Sequence, residues 1–233
     1  MTLNEIIKFD KYFWIARVFP ALITSIPFIF FQYIYLDNLF FDKLTLLEQY
    51  SVAWHSLITL LIVYLSSILV RAFGKDLIEK FYFIKNNKLP TTQILNGEKE
   101  LMSKEELNNL RKRIKVDFNL NLTSNCFKKE KALRIKGAVK QILYRVGHEN
   151  KILNQYNMEY GFFRNLAGGF IIYFPITFLL LLFSYSNNLP LFYLSIGMLI
   201  IELIYIGFSW YILDNYGTKY AEQLFSLYLS GGQ

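Results

Sequence analysis

The sequence predicts an all-α polytopic membrane protein, and three observations carry that prediction. Apolar residues gather in the first and last thirds of the 233-residue chain, which is 54% hydrophobic overall, above the ~45–50% usual for a soluble domain. Four of these apolar stretches reach the roughly 20 residues that a helix needs to cross a hydrocarbon core. Most of the charge lies between the second stretch and the third, where the apolar residues keep helical spacing. The expected organisation is an N-terminal transmembrane hairpin over 1–70, a basic helical cytoplasmic domain over 71–165, and a C-terminal transmembrane hairpin with a short cytoplasmic tail over 166–233.

The first span is expected from Arg17 to Tyr35. Read as a signal peptide, with Lys8, Lys11 and Arg17 as its charged region, it is too long for an apolar signal core and lacks a small-x-small cleavage site. The second runs from Val52 to Val70 and closes on Arg71; the third covers Leu166 to Tyr185 and the fourth Leu191 to Leu213. Tyr12, Trp14, Tyr33, Tyr35, Tyr160, Phe162, Phe163, Trp210 and Tyr211 fall near span ends, where aromatic side chains favour the lipid–water interface. Segment 71–165 holds 20 of the 25 Lys and Arg residues, whereas the loop at 37–50 has only Lys43 against Asp37, Asp42 and Glu48. Positive residues remain on the cytoplasmic side, so both termini and the middle segment are expected there, in an inner (cell) membrane. The single cysteine, Cys126, excludes an internal disulfide and reads as structural, since His55 and His148 offer it no evident catalytic partner.

Within the middle segment, 71–90 continues the second span and ends at Lys88-Leu89-Pro90, and 91–102 reads as a polar connector containing Gly97. Ser103 followed by Glu106 is a capping-box pattern opening a helix whose Leu107, Leu110, Ile114 and Phe118 form one stripe. The next helix, about Cys126 to Val146, repeats Ala132, Ile135, Val139, Ile142 and Val146 within about 80° of arc, a seam suited to packing against another helix and to self-association. Lys129, Lys136 and Lys140 flank that seam on one side, and Lys131, Arg134 and Arg145 on the other. With Lys128, this helix carries seven basic residues and one acid, Glu130. The helix before it adds Arg111, Lys112, Arg113 and Lys115.

Like charges at this density oppose a helix unless something anionic is near. Contact with lipid headgroups, a dedicated site for a polyanionic ligand and a protein partner are three readings of these basic side chains. In the membrane, Glu202 stands at the centre of the fourth span, where an ionisable group costs at least ~2.5 kcal/mol and faces protein or water. Pore lining or gating, a hydrogen bond to a neighbouring hydroxyl, and proton coupling are the readings open to it. Gly168-Gly169 reads as a packing site rather than a phosphate loop, and Asp76 and Glu79 as two acids without a base or metal partner. No nucleophile elbow, phosphate loop or metal-spaced Cys/His set occurs in the sequence, so neither enzyme activity nor a cofactor or metal is expected.

Three segments carry a family resemblance: RKRIKVDFN at 111–119, KKEKALRIKGAVKQILYR at 128–145, and NQYNMEYGFFRNL at 154–166 leading into the third span. Together with the layout of two hairpins about a basic segment, the chain resembles the small membrane effectors of Hailong-type bacterial anti-phage defence. That resemblance implies a homo-oligomeric channel (a tetramer being one such form) whose electropositive pocket senses short single-stranded DNA or a nucleotide signal. It implies an operon-encoded nucleotidyltransferase as the source of the signal, and arrest of growth through membrane depolarisation. Secondary transport, or a scaffold or enzyme with a lipid-facing basic domain, is the alternative.

Overall fold

The computed structural model describes residues 11–36, 51–84, 88–122, 128–146, 150–186 and 188–231. Cys126, His148 and the loop residues Asp37, Asp42, Lys43 and Glu48 lie outside the described residues, as do the side chains of Lys128 and Lys129. The described chain is all-helical. Helix α1 spans 11–36, with π-helical turns at Trp14–Val18 and Gln32–Leu36; α2 spans 51–84, an α-helix over Ser51–Ala72 that continues as a π-helix over Phe73–Ile84. There follow α3 (Pro90–Asn96), α4 (Lys104–Phe118), α5 (Lys128–Val146), α6 (Lys151–Ser184) and α7 (Leu189–Ser230). Helices α1, α2, α6 and α7 are long and apolar enough to cross a membrane.

The chain divides into two compact units, one of residues 1–79 and 161–210, the other of 80–160 and 211–233. Helices α6 and α7 each belong partly to both.

In the first unit the helices meet through small residues and buried polar groups. A Cβ placed on Gly168 of α6 would come within 2.5 Å of the Gly74 amide nitrogen and 2.7 Å of the Val70 carbonyl oxygen. The two backbones therefore touch at Gly74 and Gly168, the close approach that small residues permit between spans. The pair Gly168-Gly169 is a packing site, as its sequence suggests. At one end of α1 the Tyr33 ring lies 5.2 Å from the His55 ring of α2. In the turn after α6, Tyr185 contacts Phe192 of α7 at 5.4 Å, and Phe170 of α6 contacts Tyr205 of α7 at 5.1 Å. Glu79 has a base after all: Arg164 of α6 reaches it at 2.8 Å, with both side chains largely buried. That partner lies 85 residues away, beyond any local pattern.

The second unit has its own hydrophobic core. Most of the α5 seam lies in it: Ile135, Ile142 and Val146, joined by Ala138 and flanked by the partly buried Val139, pack in one cluster with Leu110 and Ile114 of α4 and with Ala221, Leu224, Phe225 and Tyr228 of α7, whereas Ala132 is not part of that cluster. This corrects the expectation that the seam serves self-association, because its apolar arc is covered within the chain. The segment after the fourth span is likewise more than a tail, since it supplies the largest residues of that core. Ser103 caps α4 as predicted, its hydroxyl accepting from the Glu106 amide at 3.1 Å while the Glu106 carboxylate accepts from the Ser103 amide at 2.9 Å. The expected connector at 91–102 is partly helix: Pro90 starts α3, and Gly97, at φ 78°, ends it in the left-handed region that glycine adopts without strain.

Gly168→Ala should lower the thermal midpoint of the detergent-solubilised protein, since overpacking against backbone costs ~1–3 kcal/mol. Gly197→Ala, where an added methyl meets nothing within 4 Å, should leave it unchanged. Equal midpoints for the two variants would show that α2 and α6 do not cross at Gly74 and Gly168.

Candidate functional site

The side chains of α4 and α5 sort into two kinds once the seam is buried. Four arginines point into the second unit's own structure. Arg111 donates from Nε and Nη2 to the Leu95 carbonyl, at 3.0 and 2.6 Å, and so satisfies the last turn of α3. Arg113 donates to the Leu229 carbonyl at 2.5 Å and lies over the Tyr228 ring, 5.1 Å from its centroid. Arg134 bridges Glu130 at 2.7 Å and the Asn121 carbonyl at 3.1 Å. Arg145 pairs with Asp117 at 2.6 Å. These four residues hold the fold, a role that the spacing of basic residues did not reveal.

The lysines differ. Lys112, Lys115, Lys136 and Lys140 are exposed, Lys131 is half-buried, and none of the five forms an ion pair among the described residues. On α5, Lys136 and Lys140 share the side opposite the seam with Leu133 and Tyr144, which are 63% and 85% exposed. A Cβ on Gly137, on the same side, would meet nothing within 4 Å. This outward face therefore combines two uncompensated ammonium groups with an accessible aromatic ring. On α4, Lys112, Lys115 and the exposed Val116 form a second, smaller face of the same character.

Asp117 and Tyr228 were not singled out in the sequence, yet they organise this region. The Tyr228 hydroxyl donates to Asp117 at 2.7 Å, Arg145 reaches the same carboxylate oxygen, and Arg113 lies 3.7 Å from it. The Tyr228 hydrogen bond holds the Asp117 carboxyl below its ordinary value of 3.8; burial opposes the shift, and Arg145 and Arg113 reinforce it. The contacts span up to 111 residues, beyond the reach of any local pattern.

Glu202 occupies a separate place, inside the first unit. It is 2% exposed, and the Thr177 hydroxyl of α6 donates to its Oε1 at 2.7 Å. Its Oε2 is buried without a hydrogen-bond partner among the described residues. The neighbouring turn of α6 carries Tyr173, whose hydroxyl is hydrogen-bonded to Ser66 of α2. A carboxyl, two hydroxyls and a phenol thus link three helices inside the first unit.

No protein-family model matches the chain, and comparisons with curated proteins and with solved structures likewise find no match.

The Asp117 cluster has a measurable pH signature. Because the carboxyl titrates lower in the folded unit, its ionised form favours folding. That contribution is complete above the ordinary value of 3.8 and is lost as acid carries the pH through the lower folded value. Asp117→Asn should reduce stability at pH 7 by about 1 kcal/mol, because its neutral amide oxygen accepts from the Tyr228 hydroxyl more weakly than the carboxylate does and no longer ion-pairs with Arg145. The deficit should shrink below pH 4, as the wild-type carboxyl also becomes neutral. Thermal melts of both proteins across that range provide the check, and coincident melts at pH 7 would remove the cluster from the stability of the unit.

Proposed function

We propose that this chain is a membrane effector in which the second unit binds a phosphate-rich polyanion and controls ion conduction through an assembly of several copies. The observation that carries the reading is the outward face of α5. Lys136 and Lys140 stand beside exposed Tyr144, and neither forms an ion pair with an acid among the described residues. Ammonium groups supply the sequence-independent attraction to phosphates, and an accessible ring offers a platform on which an unpaired base can stack. Lys112 and Lys115 extend the positive surface on α4. The arginines act at one remove, since Arg113 and Arg145 fix α4 and α5 against Tyr228 and Asp117.

In this reading the four spans form two antiparallel helix pairs flanking a cytoplasmic basic segment. The ring contacts of Tyr33 with His55 and of Tyr185 with Phe192 support the pairing. The concentration of Lys and Arg in 71–165 supports a cytoplasmic placement for that segment and for both termini. The buried seam of α5 is not the subunit contact, so assembly falls to the spans. Of these, α7 is the least enclosed by its neighbours. Glu202 ties α7 to α6 through Thr177, and a change in that bond alters the gate. The layout, together with the resemblance to Hailong-type effectors, makes a short single-stranded oligonucleotide or a nucleotide signal the favoured ligand and a nucleotidyltransferase its source.

A second reading has one observation in its favour. An enclosed carboxyl with one unpartnered oxygen suits a proton-coupled transporter built from several copies, with Glu202 as the coupling group. Uptake driven by a proton gradient, absent in Glu202→Gln, would distinguish transport from conduction.

Ion flux from liposomes containing the full chain tests the proposal, with single-stranded oligonucleotides of a few nucleotides and cyclic nucleotides as probes. Flux switched by one of these probes is the expected outcome. Absence of flux from folded, inserted protein would end the channel reading. Lys136→Glu with Lys140→Glu should weaken binding of the active probe by about tenfold or more and flatten its salt dependence by roughly one unit of slope per lost phosphate contact. Unchanged affinity in detergent solution, free of anionic lipid, would remove both lysines from the site. Glu202→Gln should change the flux without changing probe affinity, and identical flux would reduce Glu202 to a packing role.

A further inference from the structure

Between α1 and α2 lies an open cleft of about 410 Å³, distinct from the basic faces of α4 and α5, whose lining includes Arg17, Ser67, Arg71, Ala72, Lys75 and Asp76. Three cations and a single acid face it. We infer that this cleft binds the phosphodiester group of an anionic membrane lipid.

The position of the cleft along α2 carries the argument. Leu57, Leu61, Tyr64, Ile68, Arg71 and Lys75 succeed one another at steps of four, three, four, three and four residues, and so follow one line on the helix surface. The first four are exposed and apolar; the last two are exposed and basic. A diacyl lipid has the same order, an apolar chain ending in a charged group, and the change from apolar to basic occurs where the apolar run of α2 stops at Arg71. A free phosphate or nucleotide gains nothing from the apolar line. Basic recesses between spans at this level are sites for anionic headgroups.

The local structure prepares the cations. The Arg17 guanidinium lies over the Tyr12 and Phe13 rings, 5.7 and 5.8 Å from their centroids, which orients its planar donors. Arg17 belongs to one π-helical stretch, Lys75 and Asp76 to another, and such winding recurs at functional sites. The buried Ser67 hydroxyl donates to the Tyr64 carbonyl at 2.7 Å, which leaves recognition of an anion to the cations. Asp76 reduces the net charge of the lining to that of two cations, which suits a singly charged phosphodiester better than a polyphosphate.

Native mass spectrometry of the full chain, after exchange into mixed phosphatidylglycerol and phosphatidylcholine, tests the inference. Wild type should retain phosphatidylglycerol in preference to phosphatidylcholine. Arg71→Gln with Lys75→Gln should lose that preference by about tenfold or more, as removal of two interfacial cations implies. The charge-preserving pair Arg71→Lys with Lys75→Arg should restore it, and Ala72→Trp, which fills the cleft without altering charge, should expel the lipid independently. Competition by millimolar glycerol phosphate or inorganic phosphate separates the sources. Lipid retained against both supports a lipid site, whereas displacement by either makes this a site for free phosphate and overturns the lipid assignment. Equal retention by wild type and the glutamine pair would overturn the site altogether.

Discussion

A carboxyl in the middle of an apolar span is tolerable only beside a donor, and Thr177 places one against Glu202 at 2.7 Å. The same requirement recurs throughout the first unit, because a hydrocarbon surround offers no water to satisfy a polar group. The Asn165 amide donates to the Ala16 carbonyl, linking α6 to α1, while the Tyr173 hydroxyl meets Ser66 of α2. Arg164 and Glu79 neutralise each other in a largely buried pair, whose separation would strand a charge at a cost of about 3–5 kcal/mol. These contacts work only if the helices lie close together, and the glycine contact of Gly74 with Gly168 permits that. Satisfying polar groups internally and packing backbones closely are therefore two aspects of one constraint.

The second unit meets a different problem, that of an excess of positive charge. Its arginines resolve theirs internally. A planar guanidinium satisfies carbonyls and a carboxylate in fixed directions, as Arg111 does at Leu95 and Arg145 at Asp117. Lys99 is also taken up, by Asp214 at 2.6 Å, but Lys112, Lys115, Lys136 and Lys140 keep their charge on the outside, on compact ammonium groups suited to attract a phosphate. The separation of roles follows from the chemistry of the two side chains, and it narrows the basic positions of α4 and α5 to a few that can meet a ligand. The cations of the α1–α2 cleft follow a third pattern: Arg17 is oriented by aromatic rings, while Arg71 and Lys75 extend an apolar line.

Local signals in the sequence were reliable. The four apolar stretches, the capping box at Ser103 and Glu106, the stripe through Leu110 and Ile114 and the glycine pair at 168 and 169 all depend on residues a few positions apart and are matched in the structure, although the helices that carry the apolar stretches run on to 24, 29, 34 and 42 residues. Helix α3 was missed because its seven residues lie among polar neighbours and show no apolar period. The partners of Arg113, Arg145 and Arg164 were missed because Leu229, Asp117 and Glu79 are distant in sequence. The α5 seam is legible in its apolar period, but its partner is not: a seam announces that something covers it, without saying whether that is another copy or the chain's own α7.

By itself, then, the sequence determined which segments are helical and apolar enough to enter a membrane and which helices carry the positive charge, since these properties are sums over neighbouring residues. Only the tertiary structure decided which charges remain available. The core of Leu224, Phe225 and Tyr228 packs against Ile135 and Ile142 and turns Lys136 and Lys140 outward, while Asp117 takes up Arg145 and Thr177 takes up one oxygen of Glu202. A side chain's charge is written in its residue type; whether that charge is neutralised depends on what the fold places within about 3 Å of it.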